Sequence, residues 1–299
     1  MKTLRALSAA CASTYLVALA LAPECVFAQA PDSSTSSKPP LQSNVGGSGY
    51  PSLQGTVVNY EYQDFAAFNF GIFPDKARWH GVKGYYDGLT AENRPHISKV
   101  REEIYFISWP TPKGGGDNVV WNFADMEVNA HLGMVTGEVR LIAGPIHCRG
   151  SADQCTAPIP LIDPPPNAAA VREANASRYG LIPIEQYAEN HTLTSQDITA
   201  RAELKDRAIL FNTEEGVVRI EVQNEETRVR IEDGSIETHQ TFATKITDDL
   251  YFISWAGPYG GNHLMFDTLN MKVYDHLLPN GKRQEQIYPI SCFANAEEC

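Results

Sequence analysis

The sequence predicts an all-β chain of two tandem antiparallel barrels joined by a short helix. Three observations carry this. Tyr-Phe-Ile-Ser-Trp occurs at 105–109 and again at 251–255, each at the same distance behind an Asp-Gly pair, Asp87-Gly88 and Asp233-Gly234. Short β-branched and aromatic runs recur at intervals of roughly 8 to 12 residues and are stopped by Gly and Pro, as in antiparallel barrels and strongly bent sheets. Cys148 and Cys155 have the same seven-residue separation as Cys292 and Cys299, so both copies of the repeat end alike.

At the N-terminus, Lys2 and Arg5 precede an apolar run ending near Ala22, and Val26-Phe27-Ala28 before Gln29 has the small-residue pattern of a cleavage site. Residues 1–28 therefore read as a cleaved signal peptide, which places the chain in the secretory-pathway lumen or outside the cell. The run is shorter than the ~20 residues a bilayer span needs, so no membrane association is expected after cleavage. Residues 29–50, rich in Ser, Pro, Gly and Gln, read as a flexible lead-in. The first barrel is expected over 51–163. In it Ile104 to Trp109 is stopped by Pro110 and the glycines at 114–116, and Val119 to Phe123 follows at hairpin distance. Asp163-Pro164-Pro165-Pro166 then breaks the chain. Ala168 to Tyr179, ended by Gly180, predicts a short helix within a connector at 164–200. The second barrel is expected over 201–299, where Leu250 to Trp255 and Leu264 to Asp267 repeat the strand pair, Met271 matches Met126, and His276 matches His131.

Composition narrows the function classes. Of 299 residues 24 are basic and 36 acidic, a net charge of -12. Without a basic block the chain lacks the footprint of a nucleic-acid binder, and no such partner is expected. Cys11 and Cys25 leave with the signal peptide; the other four cysteines, in an oxidising compartment, point to disulfides. One local bridge per repeat is the economical pairing among three possible connectivities. Asn175-Ala176-Ser177 and Asn190-His191-Thr192 are glycosylation acceptors if the host is eukaryotic.

Most catalytic signatures are absent: no Gly-x-Ser-x-Gly elbow, phosphate loop, dinucleotide fingerprint or His-Glu-x-x-His occurs, and the eight histidines are scattered. Neither a metal site nor a cofactor is expected. What the chain does have is the furniture of an apolar, aromatic pocket with a few placed polar groups. Tyr60 and Tyr62 are two apart, so on a strand they share a face and offer two phenol hydroxyls to one ligand, although the same spacing suits packing. Tyr86 and Lys99 are further candidate donors; Lys99 shares a face with Arg101, which also suits a surface ladder. Trp109 and Trp121 are candidate walls, with Asn122 opposite. His131 is a candidate for substrate binding or acid–base work, whereas its counterpart His276 speaks for a structural role in both copies. Tyr60 and Tyr62 align with Phe211 and Thr213, so function is expected in the first repeat.

Gly55-Thr56-Val57-Val58-Asn59-Tyr60-Glu61-Tyr62, then His96 to Val100, then Glu103 to Trp109 and Pro112, resemble the calycin-type, lipocalin-like barrel shared by bacterial phenolic acid decarboxylases and the MoaF family. The duplicated layout, with Asp117 to Phe123 reading Asp-Asn-Val-Val-Trp-Asn-Phe, is most similar to MoaF. The resemblance covers most of 53–132 and, more weakly, 204–278. In the decarboxylases two first-strand tyrosines, matched by Tyr60 and Tyr62, orient the substrate carboxylate. A glutamate just after the Ser-Trp pair works with an arginine in proton transfer and at the phenol end. The glutamate position is Thr111 here, and no arginine falls near Gly88, so simple decarboxylation lacks its proton-transfer group. The chain also resembles secreted fungal proteins of similar size that dehydrate an aromatic to an o-quinone methide and direct its hetero-Diels-Alder cyclisation onto a terpene. The expectation is thus a cofactor-independent lyase or cyclase for a phenol-like or tropolone-like aromatic, with a decarboxylase-like lyase and a non-catalytic carrier of an aromatic or terpenoid ligand as alternatives.

Overall fold

Side chains that alternate between buried and exposed at period two give this chain its strands: along Val57–Tyr62 the residues Val58, Tyr60 and Tyr62 are buried while Asn59 and Glu61 between them are half-exposed. The computed structural model describes residues 46–110, 116–133, 139–157, 165, 167–186, 194–214, 216–223, 226–231, 236–240, 242–255, 262–277 and 283–299. The proposed signal peptide, Thr111 and Asn190 lie outside them.

Helix α1 (Tyr50–Leu53) precedes nine strands: β1 (Val57–Tyr62), β2 (Ala66–Ile72), β3 (Ala77–Gly84), β4 (Thr90–Asn93), β5 (His96–Arg101), β6 (Ile104–Pro110), β7 (Gly116–Asn122), β8 (Glu127–Gly133) and β9 (Val139–Gly150). They form one antiparallel sheet in the order β4-β3-β2-β1-β9-β8-β7-β6-β5. Its two end strands follow one another in the chain through Arg94-Pro95. Proline cannot donate to a ladder, so the run changes partner there, from β3 to β6, and the backbone itself crosses the seam of a nearly closed barrel.

A helical connector follows, with α2 (Ala168–Tyr179), a 3-10 turn (Ile184–Gln186) and α3 (Ser195–Leu204). Asn167 caps the start of α2, accepting from the Ala170 amide, and Gly180 ends it in the left-handed conformation that a side chain would disfavour. The nine strands β10 (Arg207–Thr213), β11 (Gly216–Gln223), β12 (Glu226–Ile231), β13 (Ile236–Gln240), β14 (Phe242–Thr247), β15 (Leu250–Trp255), β16 (Asn262–Asp267), β17 (Lys272–Leu277) and β18 (Arg283–Asn295) repeat the first sheet's order. The likeness extends to irregularities. Register shifts fall at Asn59/Tyr60 and Leu210/Phe211 and again at Lys99/Arg101 and Lys245/Thr247. Positive φ recurs at Glu103 and Asp249 and at Met126 and Met271. Disulfides join Cys148 to Cys155 and Cys292 to Cys299, one local bridge per repeat.

Two expectations need correction. The lead-in does not stay loose up to residue 50: Ile97 N–H donates to Gly46 O, Gly49 N–H donates to Ile97 O, and fully buried Tyr50 donates its hydroxyl to Phe73 O. α3 was not anticipated. Its Ala200 and Leu204 are fully buried in the second core, much as Tyr50 and Leu53 of α1 are in the first. α1 meets Tyr105 and α3 meets Tyr251, equivalent positions at the start of β6 and β15, so each helix closes the same end of its barrel.

The two barrels meet face to face through a separate core of Val100, Ile104, Phe106 and Val120 against Ile246, Leu250, Phe252, Met265 and Tyr274. Reciprocal histidines frame it. His131 bridges Ser254 (2.6 Å) and Thr244 (3.0 Å) and stacks on Phe252, while His276 bridges Ser108 and Ser98 (2.8 Å each) and stacks on Phe106. Thr244 in turn donates to Asp197 and Ser98 to Glu285, so each histidine ends a buried chain that reaches a carboxylate. An asymmetric tie crosses the same face: Arg101 forks onto fully buried Asp267 at 2.7 and 3.1 Å and donates to Asp248 O and Asp249 O.

Candidate functional site

Inward-facing residues of the first barrel leave a cup lined by Tyr60 and Tyr62 of β1, Phe68 and Phe70 of β2, Trp79 of β3, Tyr86 of the β3–β4 turn, Trp109 of β6, and Asp117, Val119 and Trp121 of β7. Its atom-free space is about 560 Å³ with the opening included. The aromatic walls suit it to a flat ring. Edge-to-face contacts hold the walls: Phe70 lies 5.2 Å from Trp109 and 5.1 Å from Trp121, and Trp79 lies 5.8 Å from Tyr86.

Tyr86 reaches the cup because Gly81 has no side chain. A Cβ there would stand 2.0 Å from Tyr86 O, whereas the bare backbone lets the turn fold down and bond through Gly81 N–H to Leu89 O.

The buried phenols of Tyr60 and Tyr62, that of Tyr86 nearer the β3–β4 turn, and the side chain of Asp117 supply the polarity. The Tyr60 and Tyr62 rings meet edge to face with centroids 5.3 Å apart, so their phenols share one side of the cup. Burial, reinforced by the negative charge of Asp117, pushes the Tyr60 pKa far up; burial, then Tyr60 and Asp117, does the same at Tyr62. Both stay protonated at any physiological pH and are donors. Asp117 lies in the same cup, and the Trp121 indole Nε1–H, in a residue 1% exposed, has no acceptor among the described residues. The cup thus offers hydroxyl donors, an indole donor and one base around an aromatic slot.

The structure brings together Tyr60, Tyr62, Tyr86, Trp109 and Trp121, and separates the other candidates from them. Lys99 lies on the surface, where its hydrogen bond to Glu102 raises its pKa and keeps it charged, so it is no donor to the cup. Asn122, next to Trp121 on a strand, points to the opposite face and closes a turn, donating to Asp125 and accepting from Ala124 N–H. His131 is 1% exposed in the barrel–barrel contact, bonded to Ser254 and Thr244, and does not line the cup. Asn175 is not an open glycan acceptor: it is 8% exposed, and its amide donates to Tyr85 O (3.1 Å) and Asp87 O (2.9 Å). Asp117 was missed, although its period-two relation to Val119 and Trp121 marks it as facing the same interior.

In the second barrel the register places Phe211 where the first has Tyr60, and the Phe211 ring packs on Phe266 and Tyr288. No phenol pair faces its interior at those positions.

No family model matches this chain, and no curated protein matches it. Among solved structures it is similar to a "putative beta-lactamase" from Burkholderia vietnamiensis, 18% identical over 32% of this chain and 93% of that one. The TM-score of 0.30 is too low for that likeness to carry any argument about fold or activity.

Proposed function

We propose that the first barrel is a cofactor-independent lyase that takes a planar phenol-like or tropolone-like aromatic and acts on it by proton transfer between the tyrosine pair and Asp117. The observation that supports this is the meeting of Tyr60, Tyr62 and Asp117 in one aromatic cup. For a ring carrying a hydroxymethyl group beside its phenol, the balanced step is dehydration. The phenol proton passes to Asp117, the exocyclic C–O bond breaks, and the departing hydroxide takes a proton from the tyrosine pair, which Asp117 then restores. Water and an o-quinone methide result. Two buried donors stabilise the oxygen as charge develops on it, and the cup holds the new diene for cycloaddition to an alkene. The two disulfides favour a secreted protein, which also fits the leader-like N-terminus.

A decarboxylase-like reading is the second. Asp117 pairs across the β6–β7 hairpin with Trp109, close in sequence to the position where that family carries its glutamate, so a carboxylate does occupy the cup.

The test is to incubate the protein with an o-hydroxymethyl phenol or hydroxymethyl tropolone and an alkene trap. The double variant Tyr60→Phe/Tyr62→Phe, which keeps both rings, is expected to lose turnover by about 10²-fold or more with unchanged thermal unfolding. Carbon dioxide released from hydroxycinnamates would favour the second reading; tight binding with no product from either substrate would make the cup a carrier.

A further inference from the structure

The cup's own polar groups leave one end of a ligand undescribed, and the connector supplies a group for it. α2 is clamped to the β3–β4 turn. Asn175 donates to Tyr85 O and Asp87 O, the Tyr179 hydroxyl donates to Asp87 Oδ2 (2.7 Å), Arg178 pairs with the same carboxylate (2.8 Å), and Tyr85 donates its hydroxyl to Ile182 O. Tyr86, the cup residue of that turn, is thereby held against the helix. On the same helical face, one turn before Asn175 and Ala176, half-buried Arg172 lies over the Tyr86 ring, its guanidinium carbon 5.9 Å from the centroid.

Arg172 differs from its neighbour Arg178. Among the described residues no carboxylate or carbonyl holds it, although the chain carries 36 acidic side chains against 24 basic ones. It also borders a groove between α2 and the 3-10 turn, with Ala176, Leu181 and Ile184, so there is room beside it. From Arg172 the aromatic path runs through Tyr86 to Phe68 (5.6 Å) and on to Tyr60 (5.5 Å). Asp117 lines the same cup as Tyr60 and repels a second negative charge there. This arrangement of charge favours an acidic group on the Arg172 side and a neutral hydroxyl toward the tyrosines.

We propose that Arg172 is a specificity-determining residue of the cup, a cation lent by the connector that selects anionic aromatic ligands and sets the direction in which they lie. This rests on the reading of the cup as a ligand site. A guanidinium suits the task because its planar fork meets a carboxylate with two parallel hydrogen bonds.

The test compares 6-hydroxy-2-naphthoate with 2-naphthol, which share ring and phenol and differ in the carboxylate, by calorimetry on the full chain at low and high salt. The naphthoate is expected to bind the native protein more tightly, and R172M to reduce its advantage about tenfold, the scale of one charge-assisted pair, while 2-naphthol binding is unchanged. R172K should keep part of the advantage, and salt should weaken only the naphthoate. An advantage that R172M leaves intact, with 2-naphthol still bound and still sensitive to Tyr60→Phe/Tyr62→Phe, overturns the role of Arg172 alone. Failure of both ligands to bind the native protein overturns the cup reading and this inference with it.

Discussion

Asp117→Asn is expected to reduce turnover on a phenol-like substrate by about 10²- to 10⁴-fold, the range that a positioned acid–base group contributes. The variant keeps the side chain's shape and removes only its capacity to hold a proton. It also withdraws the negative charge that helps raise the Tyr60 and Tyr62 pKa values, so both phenols become slightly easier to ionise, although burial, the larger cause, remains. Affinity for 2-naphthol should survive because the aromatic walls do not change. Single-turnover kinetics beside calorimetry separates the two effects. A variant that turns over like the native protein would remove Asp117 from the chemistry.

Asp267→Ala is expected to be the most damaging single change to stability, at about 3–5 kcal/mol, because it leaves the Arg101 guanidinium in the barrel–barrel contact without its counter-charge. Asp267 has no exposed surface. Burial alone would raise its pKa, but the fork from Arg101 and the side-chain and backbone donors of Asn270 outweigh it and hold the carboxyl below its usual value. A group with a depressed folded pKa stabilises above its unfolded value and stops doing so as pH falls through the folded one. The gap in unfolding free energy between native protein and Asp267→Ala should therefore be full above roughly pH 5 and narrow progressively toward pH 2. Urea unfolding across that range reads it, and a gap that stays constant would show the carboxylate to be energetically idle.

The sequence made the strands, the duplication and the aromatic lining legible because all three are written locally. Period two places Tyr60 with Tyr62, and repeated Tyr-Phe-Ile-Ser-Trp marks equivalent strands without any knowledge of how they curl. What it hid depends on contacts between distant segments. Alternation assigns His131 to the face opposite Ala130 and Leu132, but only the docking of the second barrel shows that this face is an interface rather than a surface or a pocket. Lys99 sits beside a register shift, where counting by twos fails. Arg172 lay in a segment read simply as a linking helix, and its relation to Tyr86 arises from the clamp around Asp87. Asn122 and Asp117 are different, since the alternation that placed Trp121 inward already separates the first from it and joins the second to it.

The way His131 and His276 each reach into the other half makes the contact self-complementary, as in a homodimer built on a two-fold axis. Tethering such a pair in one polypeptide adds no new bond; it raises the effective concentration of each half for the other and makes their association independent of dilution. It also ends the obligation of identical subunits to change together. One half can then serve purely as a scaffold for its sister, and a ligand chamber need be maintained only once per molecule.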